Sequence, residues 1–94
     1  MRVVLITGGN GGLGLAMSRA FLQSDTETTV WLGVRSRREK AEALAAEFPG
    51  RCKIVTLDVG AQADWEAAVT TITQENGSLD VLVNNAGNHE DTLL

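Results

Sequence analysis

Ninety-four residues are enough for one small domain, and a composition of 44% hydrophobic and 21% charged residues is that of a folded chain rather than a disordered one. The formal net charge of -4 offers no basic footprint, which argues against nucleic acid as a partner. No apolar run approaches the length of a membrane span.

Arg2 to Ile6 reads as a short buried strand of branched aliphatic residues without polar alternation. A glycine-rich stretch follows, Thr7-Gly8-Gly9-Asn10-Gly11-Gly12-Leu13-Gly14, and then a helix whose apolar stripe is predicted to be Leu13, Ala16, Met17, Ala20 and Phe21. Ser24 to Glu27 interrupts the period as a solvated loop, and Thr29 to Val34 is the second strand. Ser36 to Glu47 is a second helix, with Ser36 as N-cap and Glu39 completing a capping box, stopped by Pro49-Gly50. Cys52 to Leu57 makes a third strand closed by Asp58. Ala61 to Glu75 is a third helix with Trp65, Ala68, Val69 and Ile72 on one face and Asn76-Gly77 as its stop. Leu79 to Val83 is the fourth strand, and Asn84-Asn85-Ala86-Gly87 follows it. Apolar strands alternating with amphipathic helices imply an α/β fold: a doubly wound parallel sheet in the order 3-2-1-4, joined by right-handed crossovers.

A strand, a glycine turn and a helix in succession form a phosphate-binding corner. Glycine serves there for two reasons: some positions need φ > 0, and others must let an anion come close to main-chain N–H groups. The helix start adds unpaired N–H groups and a partial positive charge. A glycine turn without a ligand is the plainer alternative. The cluster fits two registers, TGxxxGxG through Gly8, Gly12 and Gly14, or TGxxGxxG through Gly8, Gly11 and Gly14.

Together, the glycine turn, Asp58-Val59 after the third strand and Asn84-Asn85-Ala86-Gly87 after the fourth resemble the short-chain dehydrogenase/reductase family along the whole chain. The Asn-Asn-Ala-Gly segment favours the reductases, with TGxxxGxG, over the nucleotide-sugar epimerases, with TGxxGxxG. Asp91-Thr92-Leu93-Leu94 is similar to a segment of 3-oxoacyl-carrier-protein reductases.

The resemblance implies a Rossmann-type domain, here a partial one spanning 1–94. It places Thr7, Gly8, Gly12 and Gly14 at a pyrophosphate turn, with Asn10 and Leu13 near the phosphates. Asp58 would accept the adenine amino group and Val59 would lie on the ring, the alternative for Asp58 being a helix N-cap. Asn84, Asn85, Ala86 and Gly87 would line the floor of the site, the asparagines bridging neighbouring strands and the Ala86-Gly87 backbone passing the nicotinamide ribose.

An acidic residue at the end of the second strand would hold the ribose hydroxyls of NAD(H). This chain instead reads Gly33-Val34-Arg35-Ser36-Arg37-Arg38, and Arg35 and Ser36 stand where a 2′-phosphate would lie. NADP(H) is therefore the expected cofactor and NAD(H) the alternative. Solvated arginines opening a helix are the competing account, although cations are poorly placed at that end of the dipole. Many NADP-dependent relatives carry a basic residue within the turn, where this chain has Gly11.

His89 reads as a solvated loop residue, Trp31 and Trp65 as packing residues, and Cys52 as a small core residue. That lone cysteine, and Met1 set directly against the first strand with no room for a leader peptide, point to the cytoplasm. The family's reaction uses a serine and a Tyr-x-x-x-Lys pair beyond the fourth strand, and this sequence has no tyrosine. The expectation is the cofactor-binding part of a longer NADPH-dependent carbonyl reductase, with 3-oxoacyl thioesters as one substrate class and a homo-oligomer as its assembly. A non-catalytic nucleotide-binding or interaction module and an epimerase relative are the alternatives. No residue suggests a metal site.

Overall fold

The computed structural model describes residues 1–85. Its elements run β1 (Val3–Thr7), α1 (Gly12–Ser24), β2 (Thr29–Val34), α2 (Glu39–Glu47), β3 (Cys52–Thr56), α3 (Gln62–Asn76) and β4 (Val81–Val83). The four strands form one sheet in the order β3-β2-β1-β4, every pairing parallel. This is the Rossmann-type arrangement expected from the alternation of elements.

Strand parity divides the core into two layers. Val4, Ile6, Val30, Leu32 and Val34 face α1 and α2, where Leu22, Ala41 and Leu44 complete the cluster. Val3, Leu5 and Trp31 face α3 and meet Ala68 and Ile72. Val3 to Ile6 are completely buried, and full burial of such side chains contributes about 1.5–3 kcal/mol each. The middle of the sheet therefore supplies most of the hydrophobic stabilisation.

Three sequence expectations are corrected. The buried line of α1 is Gly14, Ser18 and Leu22; of the predicted stripe, Met17 and Phe21 pack against the core, while Leu13 is 65% exposed and Ala16 and Ala20 face solvent. Small residues bring this helix close to the sheet, with the Ser18 hydroxyl returned to the Gly14 carbonyl at 2.7 Å. On α3, Val69 is exposed although Ala68 and Ile72 are buried. The third correction concerns α2, which begins at Glu39 after an N-cap at Arg38 and has no side-chain cap, so Ser36 opens no capping box.

Polar contacts fix the element ends. Arg51 donates to the carbonyls of Leu22 (2.8 Å), Asp25 and Thr28 (3.2 Å), so it supplies the cation that the last turn of α1 lacks. Gly77, at φ 84, closes α3, and Asn76 accepts the Trp31 indole N–H at 2.8 Å. Asp80 begins the β1–β4 ladder: its N–H donates to the Val3 carbonyl and its carboxylate accepts the Val3 N–H, both at 2.9 Å. No helix among the described residues is long and apolar enough to cross a membrane.

Candidate dinucleotide site

Because the strands are parallel, their carboxyl ends share one edge of the sheet. Thr7, Arg35, Asp58 and Asn85 all stand at or just beyond those ends. Ligands of open α/β sheets bind in the crevice along this edge, where the strand order reverses between β1 and β4.

The glycine turn is built from main-chain contacts. Gly8 has φ 66, the left-handed region that a Cβ disfavours. The Gly8 carbonyl accepts the Gly11 N–H at 3.1 Å, and the Gly9 N–H donates to Gly33 at 3.2 Å, pinning the turn to β2. A Cβ on Gly14 would overlap the Gly8 carbonyl oxygen, and one on Gly9 would come within 2.7 Å of Leu32 Cβ. Gly12 differs from these: a Cβ there would have no protein atom within 4 Å. Its open side is where an anion can reach the first N–H groups of α1. These first-turn groups have no acceptor within the helix, and the turn carries neither a side-chain cap nor an acidic residue. The exposed Leu13 lies in this same first turn.

Thr7 joins the turn to the segment after β4. Its hydroxyl is directed at Asn84 Oδ1 (3.1 Å) and the Val83 carbonyl (3.5 Å), and it accepts the Asn85 N–H at 2.9 Å. Asn85 Nδ2 donates to the Gly8 carbonyl at 3.5 Å. The two asparagines thus bridge β1 and β4, as the sequence suggests. Ala86 and Gly87, expected in the same floor, lie outside the described residues, as do His89 and the Asp91–Leu94 segment.

Arg35, Ser36 and Arg37 are exposed at the end of β2, and neither Arg35 nor Arg37 has an ion-pair partner among the described residues. Arg38 is committed elsewhere, donating to Thr56 Oγ1 at 3.1 Å and lying 3.9 Å from Glu42. The Ser36 carbonyl accepts from Asn10 Nδ2 at 2.9 Å, and Arg37 beside it has φ 56, a left-handed conformation that places the start of α2 after it.

Asp58 does not cap α3, whose N-cap is Ala61. Its Oδ1 accepts the Gly60 N–H at 2.9 Å in a turn leading toward the helix, and Oδ2 has no protein partner among the described residues. Val59 is half-buried against the cluster that holds Trp65, and its carbonyl accepts the Trp65 indole N–H at 2.9 Å. Cys52 is buried, and burial, with the Glu47 charge adding to it, raises its thiol to about 11. It is a core residue. No group of metal-ligating side chains occurs among the described residues.

The sequence reading left out Gly9. The Gly8-Gly9 doublet directly after a buried strand was the available signal, but the need for it lies in Leu32, on the neighbouring strand.

A family model for short chain dehydrogenases matches residues 2–93. The chain belongs to the short-chain dehydrogenase family. A short-chain dehydrogenase/reductase from Penicillium roqueforti is 40% identical over 87 residues, which cover 92% of this chain and 25% of that protein. The crystal structure of a 3-ketoacyl-(acyl-carrier-protein) reductase from Brucella melitensis complexed with NADH superposes with a TM-score of 0.81 at 35% identity, covering 92% of this chain and 34% of the other. L-sorbose reductase from Gluconobacter frateurii, complexed with NADPH and L-sorbose, gives 0.79 at 32% identity over 93% and 34%. The chain therefore spans about a quarter to a third of the relatives it matches.

Proposed function

We propose that this short-chain dehydrogenase chain binds NADP(H) as the cofactor-holding part of a carbonyl reductase. The observation that carries the reading is the pair of exposed arginines without ion-pair partners, Arg35 and Arg37, at the end of β2 beside a helix start that has no acidic residue. A guanidinium can clamp a phosphate through two charge-assisted hydrogen bonds, whereas an acid at this corner would repel one. The first N–H groups of α1 receive the pyrophosphate, and Gly12 keeps their approach clear. Asp58, through the carboxylate oxygen left without a protein partner, accepts the adenine amino group, and Val59 supports the ring. Thr7, Asn84 and Asn85 hold the floor between β1 and β4, and the likeness to the family assigns Ala86 and Gly87 to the nicotinamide side of the site. When bound, the cofactor supplies hydride.

The substrate in this reading is a small carbonyl compound. The Asp91–Leu94 segment and the likeness to a 3-ketoacyl-(acyl-carrier-protein) reductase support 3-oxoacyl thioesters within that class. The free, buried Cys52 suits a reducing cytoplasm. A homo-oligomer is the assembly we favour, by likeness to the family.

The test is a titration of NADPH and NADH into the protein and into Arg35→Asp. NADPH should bind more tightly to the unaltered protein, and the preference should be lost in the variant. Tighter binding of NADH to the unaltered protein would overturn the cofactor assignment. A second reading, an interaction module, draws on Leu82, 50% exposed on β4, the strand at the edge of the sheet among the described residues. Under that reading neither nucleotide would bind measurably.

A further inference from the structure

One side chain joins two segments that lie 26 residues apart. Asn10, in the glycine turn, donates from Nδ2 to the Ser36 carbonyl at 2.9 Å and to the Arg37 carbonyl at 3.3 Å. The corner it grips carries Arg35 and Arg37. Arg37 is also the one described residue other than glycine with a positive φ, 56°. L-residues hold that conformation only where their surroundings over-determine it.

The chemistry of the amide settles which of its atoms does what. Two carbonyl oxygens need donors, so nitrogen must face them, and both of its hydrogens are then committed. The remaining oxygen is an acceptor and has nothing to offer a phosphate. The Asn10 side chain therefore has no donor left for the cofactor phosphates, although its place in the turn suggests that role.

The geometry points to Asn10 as a positioning residue for cofactor discrimination: it fastens the arginine corner to the glycine turn, so that the 2′-phosphate and pyrophosphate sites form one preassembled surface. This rests on the reading that Arg35 and Arg37 receive a 2′-phosphate. Preassembly raises affinity because the corner need not be ordered at the moment of binding. It matters most for the nucleotide that uses both sites. NADH uses only the turn.

The experiment measures dissociation constants for NADPH and NADH by calorimetric titration. The proteins are the unaltered one, Asn10→Ala, Asn10→Asp, Arg35→Ala/Arg37→Ala, and that pair combined with Asn10→Ala. Asn10→Asp keeps the shape but turns an oxygen toward two carbonyls, and it carries the test should the alanine variant not fold. Each Asn10 variant should weaken NADPH about tenfold, in keeping with two lost hydrogen bonds, and NADH less than about threefold. The Asn10→Ala effect should disappear once both arginines are gone, because Asn10 acts only through them. Two results would overturn the inference while leaving the cofactor assignment intact: an unchanged NADPH-to-NADH ratio, whether both affinities hold or fall together, or a full Asn10→Ala effect without the arginines. Failure of the unaltered protein to prefer NADPH would instead remove the assignment on which the inference stands.

Discussion

A methyl group added to Gly12 meets no protein atom, whereas one added to Gly14 would overlap the Gly8 carbonyl. The two glycines therefore answer to different demands. Gly12→Ala should leave the melting temperature unchanged or raise it, since alanine at a compatible position restricts the unfolded chain and is worth about 0.4–1 kcal/mol. The same change should weaken NADPH in a binding titration, because the methyl group occupies the approach to the amides. For Gly14→Ala both readouts should fall, with a loss of about 2 kcal/mol or more in urea unfolding as the turn is forced open. Cys52 gives a pH prediction. Its thiol lies at about 11 against an ordinary 9.0, so between those values the unfolded chain releases a proton that the folded chain keeps. Stability is fully present below pH 9 and declines toward 11 by up to about 2–3 kcal/mol. Urea midpoints across that range should show the decline, and Cys52→Ala should remove it.

Among the elements, those whose formation depends on local pattern were legible. Strand β2 matches its expected bounds, Thr29 to Val34, because a strand buried on both faces is a run of branched and aromatic residues. The face of α1 was legible from hydrophobicity only in part, through Met17 and Phe21. Gly14 and Ser18 carry too little apolar surface to register as a stripe, yet their small size decides which side of the helix approaches the sheet. The capping box at Ser36 failed because Arg37 takes a left-handed backbone, φ 56, at a corner that Asn10, 26 residues distant, holds through the Ser36 carbonyl. Most of the candidate site was legible as a set of landmarks after strands, while the contacts that join them were not. Arg51 belongs to the same class, a loop residue whose role appears only when the end of α1 and the start of β2 arrive beside it. Arg51→Met keeps the aliphatic stem and removes donors to three carbonyls. It should cost about 1–3 kcal/mol in urea unfolding without changing the cofactor preference.

Across the whole molecule, stability is concentrated in β1 and β2, whose side chains from Val3 to Thr7 and from Thr29 to Val34 are all buried. Strand β4 has three residues, a partner on one side only among the described residues, and Leu82 half-exposed. Amide exchange should therefore be slowest at Leu5, Ile6, Trp31 and Leu32 and clearly faster at Leu82 and Val83. Equal protection across the four strands would contradict this gradient. The Thr7 hydroxyl adds a consequence of its own, since it ties the most stable strand to the segment that follows the least stable one. Opening of β4 would therefore release Thr7 and Gly8 from Asn85 while β1, β2 and β3 stay paired. In the proposed function, nucleotide binding and the closing of β4 onto β1 would then be coupled, each favouring the other.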